Sequence, residues 1–189
     1  AHPMTDEQIR FIDTWEVENY RRSVSAGSSS GRAENKTIII TGAAQGFGEG
    51  IGESLIKEGA NIVIADLNEI KGNQTAESFN KISKSNQSVF VKTDVSDLTN
   101  LENLIYKTVC EFGGVDCFIS NAGVLRAGGL EDMTPENFDL VTKINYSAYF
   151  YCTKVVSKVM KLQTKYGSDD YYADIIQINS KSGLEGSRA

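Results

Sequence analysis

A run of β-branched residues, Thr37-Ile38-Ile39-Ile40, leads directly into Thr41-Gly42-Ala43-Ala44-Gln45-Gly46-Phe47-Gly48. No other feature constrains the chain as much. β-branched residues suit an extended strand. The glycines let backbone take positive φ and approach a ligand closely. Phe47, Ile51 and Leu55 then recur at every fourth position, as on one face of a helix, until Gly59. Strand, glycine loop and helix in this order put free N–H groups at a helix start, where a pyrophosphate can be held. A tight turn with no ligand is the other use of such a loop. Here the loop opens a strand–helix–strand unit, which is the context that dinucleotide binding requires.

The same alternation continues along the chain. Apolar runs at Asn61–Ala65, Ser88–Lys92, Val115–Ile119 and Asp174–Asn179 are rich in Ile and Val and do not alternate with polar residues. Strands of a parallel sheet buried on both faces have this character. Between them, Leu98, Leu101, Leu104, Ile105 and Phe112 keep helical spacing after Ser96, which is expected to cap that helix. Thr134-Pro135 is a cap with proline in the first turn, and Phe138 and Val141 carry the stripe on. The expected fold is α/β: a Rossmann-type, doubly wound parallel sheet with helices on both faces. Ahead of it, residues 5–22 have a helical stripe of Ile9, Ile12 and Trp15, and Ser23–Lys36 is rich in Ser and Gly like a flexible linker. Two parts are therefore expected, an N-terminal extension over residues 1–35 and the main domain over 36–189.

Composition narrows the partners. The net charge is −6, which argues against a nucleic-acid binder, since phosphate backbones need clustered Lys and Arg. Backbone N–H donors in a glycine loop need no basic patch, so a bound pyrophosphate is compatible with an acidic chain. No apolar run approaches the length of a membrane-spanning helix, and no membrane partner is expected. Cys110, Cys117 and Cys152 lie in apolar stretches and read as buried, reduced thiols of a cytoplasmic protein. His2 is the one histidine, so a histidine triad or a multi-histidine metal site is excluded, and no metal is expected.

Asp66 ends the second apolar run. A carboxylate there can accept hydrogen bonds from the ribose hydroxyls of an adenosine and would repel a 2′-phosphate. No Arg or Lys follows it directly, so NAD is the expected cofactor. Capping the helix after Leu67 is the alternative use of Asp66.

These residues, with four later motifs, resemble the short-chain dehydrogenase/reductase family. The motifs are the TGxxxGxG spacing of TGAAQGFG, Asp94-Val95 after the third strand, Ser120-Asn121-Ala122-Gly123 after the fourth, Asn145 within KINYSAYF, and Ser180 within QINSKSG. The resemblance covers about residues 36–189. Ser120, the FDLVTKIN…YFYC stretch and QINSKSG are most similar to the sorbitol-6-phosphate dehydrogenases. Residues 5–22 are similar to the segment ahead of the dehydrogenase part in bifunctional aldolase–dehydrogenases. The resemblance implies a cofactor site made of Thr41, Gly42, Gln45, Gly46, Phe47, Gly48, Asp66, Leu67, Asp94, Val95, Asn121, Ala122 and Gly123. It implies hydride transfer between NAD and a small-molecule alcohol or ketone, in the closest subgroup a sugar phosphate. Ser180, followed by Gly183, would bond the substrate oxygen, and Asn145 would hold a water in the proton relay. Lys181 and Arg126 are candidate cations for a substrate phosphate. A homodimer or homotetramer is implied through the helix Asn145–Leu162.

One departure is sharp. The family's Tyr-x-x-x-Lys pair follows its serine, yet none of the 8 tyrosines here has a lysine four places on. A truncated chain is therefore expected, lacking the acid–base pair and the last strands of the sheet. A non-catalytic dinucleotide-binding module is the competing expectation.

Overall fold

A computed structural model describes residues 31–83, 86–126, 128–168 and 171–180. The helix expected over residues 5–22 lies outside them. Five strands, β1 (Thr37–Thr41), β2 (Asn61–Asp66), β3 (Ser88–Lys92), β4 (Cys117–Ser120) and β5 (Asp174–Gln177), form one sheet in the order β3-β2-β1-β4-β5. Every neighbouring pair is parallel. The connections are α1 (Gly46–Lys57), α2 (Glu69–Ile82), α3 (Leu98–Phe112), α4 (Pro135–Val141) and α5 (Ala148–Tyr166), with a π-helical stretch over Thr142–Ser147 just before α5.

The two-residue period of a strand divides the apolar residues between two layers. Ile38, Ile40, Ile62, Ile64 and Ile119 pack with Ile56 of α1 and with Ala76 and Phe79 of α2. Their chain neighbours Ile39, Val63, Ala65, Val91 and Phe118 turn the other way, onto Leu101, Leu104 and Ile105 of α3 and Val155 and Val156 of α5. All five residues of β1 are buried, which explains the three consecutive isoleucines at its centre. Each such side chain contributes about 1.5–3 kcal/mol through burial. This is the doubly wound α/β sheet the alternation implies.

Several local expectations are corrected. Of the stripe Phe47, Ile51 and Leu55, only Ile51 and Leu55 pack against the core, and they are half-buried at its margin. The buried face of α1 is Gly48, Gly52 and Ile56. Phe47 is 85% exposed, and the stripe lines an apolar groove of about 800 Å³ with Ile119, Ile176 and Ile178. α3 is capped by Asp97, whose carboxylate accepts from the Thr99 and Asn100 N–H groups. Those bonds, Thr99 first, hold its carboxyl below the usual range. Ser96 instead bonds Asp94 through both its N–H and its hydroxyl. Thr134 caps α4 as expected, but Phe138 is exposed. β4 begins at Cys117, two residues later than the apolar run, and β5 stops at Gln177. β5 was expected to be buried on both faces, yet Ile176 is exposed, because β5 pairs with β4 on one side only and flanks the open groove. The end of the Ser/Gly-rich stretch is not a loose tether: Ala33 is buried, and the Ala33 and Asn35 N–H groups bond the Glu58 and Gly59 carbonyls at the end of α1.

The cysteines differ from one another. Cys152 is buried and Cys117 half-buried, but Cys110 is exposed. Burial pushes the Cys152 thiol up to about 12. Burial, then Asp174 and Asp116, pushes Cys117 up to about 11. At pH 8 both therefore stay in the unreactive thiol form. An aromatic disulfide reagent should titrate one thiol quickly in the native protein and all three in denaturant. Fast reaction of a second thiol in the native state would contradict the packing.

Two glycines give a stability prediction of opposite signs. A Cβ at Gly72 of α2 would lie 2.2 Å from the Phe90 ring, whereas one at Gly50 of α1 would meet nothing within 4 Å. Gly72→Ala should destabilise by about 1–3 kcal/mol through overpacking. Gly50→Ala should stabilise by about 0.5–1 kcal/mol through helix propensity. Urea denaturation of the two variants checks both signs.

Candidate functional site

In the order β3-β2-β1-β4-β5, the connections after β1 and β4 leave in opposite directions, so a crevice opens at the carboxyl ends of these strands. A cavity of about 400 Å³ lies there, between the ends of β1, β2, β3 and β4. Of the residues expected around a cofactor, all but Thr41 and Gly48 line it. Those two lie behind its wall, buried. Ala65, Thr93, Val124 and Ile144 also line it and were not foreseen. Ala65, Thr93 and Ile144 directly precede the motif residues Asp66, Asp94 and Asn145, and Val124 directly follows Gly123, so adjacency is the sequence signal for all four.

Thr41 holds the two loops together. Its hydroxyl oxygen accepts from the Asn121 and Ala122 N–H groups, both at 3.0 Å. The Asn121 amide then donates to the carbonyls of Thr41 at 3.0 Å and Gly42 at 3.2 Å. A Cβ at Gly48 would lie 2.5 Å from the Gly42 carbonyl oxygen and 2.6 Å from the Asn121 amide nitrogen, so this close approach admits only glycine. Gly42 and Gly46 both take positive φ, at 65° and 64°.

The glycine loop presents donors. α2, α3 and α4 each have a side-chain N-cap, but Gln45 makes no side-chain cap bond at α1. The first N–H groups of α1 therefore remain for an anion. A Cβ on Gly46, which lines the cleft, would project into open space, so the loop leaves a cradle there. Across the cleft, Asp66 is held rigidly. One oxygen accepts from the Ala44 N–H at 3.0 Å and the other from the Asn68 N–H at 2.9 Å. Asn68, not Asp66, caps α2. Each carboxylate oxygen keeps a further lone pair for a hydroxyl. A crevice with uncapped N–H groups at one wall and a fixed carboxylate at the other fits the pyrophosphate and ribose of a dinucleotide.

Asn145 lies in the π-helical stretch, and its side chain pairs with the backbone of Val124. Its oxygen accepts from the Val124 N–H at 2.8 Å and its amide donates to the Val124 carbonyl at 2.9 Å. It thus fastens the chain just beyond Gly123. Ser180 is exposed, three residues beyond β5, and is outside the lining of the cleft. Lys181 lies outside the described residues. Arg126 turns back on its own chain, Nη1 donating to the Leu125 carbonyl at 2.8 Å. Among the described residues there is no cluster that could hold a metal ion, and no helix is long and apolar enough to cross a membrane.

The sheet order and the crevice define a Rossmann-type α/β protein, and comparison with known proteins narrows this. Residues 36–189 match the short chain dehydrogenase family model. The chain is 31% identical over 155 residues to a galactitol 2-dehydrogenase from Agrobacterium fabrum, covering 82% of this chain and 56% of that one. It is 33% identical over 125 residues to an L-2,3-butanediol dehydrogenase from Corynebacterium glutamicum, covering 66% and 48%. A 3-ketoacyl-(acyl-carrier-protein) reductase from Brucella melitensis, complexed with NADH, superimposes with a TM-score of 0.72 at 25% identity, covering 79% and 59%. The chain belongs to the short-chain dehydrogenase family, a family of NAD(P)-using oxidoreductases. It spans about half the length of the curated relatives it matches.

Thr41→Val keeps the shape but removes the acceptor for two N–H groups. It should destabilise by about 1–3 kcal/mol, the cost of stranded buried donors. Thr41→Ser should restore most of that. Thermal unfolding of the pair decides, and equal stability of all three proteins would refute the hydroxyl's role.

Proposed function

We propose that the protein is an NAD-dependent dehydrogenase of a polyol or sugar phosphate. The observation that carries this is the Asp66 carboxylate, fixed by two backbone N–H groups at the wall of the crevice. Bound NAD would supply the hydride acceptor. The N–H groups opening α1 would hold the pyrophosphate, with Gly42, Gly46 and Gly48 allowing the approach. Asp66 would accept from the ribose hydroxyls, with Leu67 beside it. Asp94 and Val95 would border the adenine, and Asn121, Ala122 and Gly123 would form the floor. Ser180 would donate to the substrate oxygen. Asn145 would fix Val124 and hold a relay water with the N–H and lone pair its side chain keeps. The sequence holds no Tyr-x-x-x-Lys pair, so proton transfer is assigned to none of its residues.

Substrate and assembly rest on likeness. Galactitol and 2,3-butanediol, named for two relatives, carry adjacent hydroxyls, and the QINSKSG motif favours a sorbitol-6-phosphate-like compound. Exposed Tyr146 and Phe150, at and beside the start of α5, support self-association into a dimer or tetramer. We take residues 36–189 as part of the dehydrogenase domain and 1–35 as an extension to it. A second reading is a dinucleotide-binding module without turnover.

The protein expressed from its own gene should bind NADH more tightly than NADPH. Asp66→Ser should weaken NADH about tenfold, as for a lost charge-assisted hydrogen bond, while sparing NADPH. Fluorescence titration checks this, and equal loss for both cofactors would remove Asp66 from the ribose site. Oxidation of sorbitol 6-phosphate or galactitol with NAD supports the dehydrogenase. NADH binding with no turnover of any polyol supports the module.

A further inference from the structure

We propose that Glu69 and Lys92, joined by an ion pair beside Asp66, are specificity-determining residues that keep a 2′-phosphate out of the adenosine end of the cleft. This rests on the reading of the cleft as a dinucleotide site.

The sheet places them there. β2 and β3 pair in register so that Asp66 stands opposite Lys92. Facing residues of a parallel pair project to the same side of the sheet. That side is shown by the pair two residues earlier, Ile64 opposite Phe90, which packs with α1 and α2. Lys92 is therefore a cation in register with the proposed ribose-binding carboxylate, on the face where α2 begins. Glu69, the first residue of α2, meets it at 3.2 Å between Oε2 and Nζ.

A strand end beside a helix N-terminus, with a lysine in register, would ordinarily attract a phosphate. Three features cancel that attraction. The Asn68 side chain already accepts from the Lys71 N–H in the first turn of α2. Asp66 cannot swing aside, since both its oxygens are held. Glu69 neutralises Lys92 and adds a negative charge to the first turn. Both partners of the pair are about 60% exposed, so water and a ligand can reach them and the pair itself stabilises the fold little. Its removal should alter cofactor choice without unfolding the protein.

The test is fluorescence titration of NADH and NADPH on the wild-type protein, Glu69→Gln and the double variant Glu69→Gln with Lys92→Ala. Freed of its partner, Lys92 should tighten NADPH by about five- to tenfold, as expected for one unit charge acting on a nearby dianion in a high-dielectric setting. NADH should change less than about twofold, because it has no charge at that position. Adding Lys92→Ala should abolish the gain, and salt at roughly 0.5 M should shrink it. An unchanged NADPH affinity in Glu69→Gln, or a gain that survives loss of Lys92, overturns the proposal. If NADH binds normally in either case, this inference alone fails. A wild-type protein that binds neither cofactor defeats it together with the cleft reading.

Discussion

The crevice depends on how closely two loops can approach. The loop after β1 and the loop after β4 come together around the Thr41 hydroxyl and the Asn121 amide, which between them make four hydrogen bonds across the gap. The bonds need backbone on one side to lie within reach of backbone on the other. Gly48 permits this, because any Cβ there would overlap the Gly42 carbonyl and the Asn121 amide. These groups are mostly removed from water, so each bond left unmade would cost more than it contributes when made. The same approach orients α1 so that its uncapped N–H groups look into the crevice.

Much of this was legible in the sequence. The apolar, β-branched runs mark strands buried on two faces, and the glycine loop marks the joint between the first strand and its helix. The failures have physical causes. Periodicity showed that α1 has an apolar stripe at Phe47, Ile51 and Leu55 but could not say which face meets the sheet. The face that does so carries Gly48 and Gly52, where small size permits contact; Phe79 lies 2.6 Å from where a Gly52 Cβ would be. Hydrophobicity does not register a contact made by the absence of a side chain. Cys110 has apolar neighbours in sequence, yet it lies off the face bearing Leu101, Leu104, Ile105 and Thr108. Ser96 and Asp97 are both capping residues, and the choice between them was made by Asp94, which engages Ser96 first.

Asn145 shows a deeper limit. Its residue type and position suggest a polar group reserved for a water, and its side chain also pairs with both backbone groups of Val124. That pairing depends on the π-helical turn over Thr142–Ser147, which no spacing rule anticipates. The residue thereby links the start of α5 to the loop that walls the crevice. A change there would reach the site through the position of Val124, which lines it.

The acidic balance of the chain and an anionic ligand are compatible because charge and donors are separated in space. The wall of the crevice at α1 offers backbone N–H groups, and among the described residues no side-chain cation lines the crevice. The wall at the ends of β2 and β3 offers Asp66 and Asp94, and the lysine in register with Asp66 is already paired. Backbone donors at a helix start are fixed by the fold and need no net positive charge. Carboxylates can therefore be used at the other end to discriminate by repulsion, which would be self-defeating if affinity came from a basic patch. On the proposed reading, attraction would come from the main chain and selectivity from side chains. A net charge of −6 is consistent with that division, in which cofactor choice would turn on the carboxylates at the ends of β2 and β3.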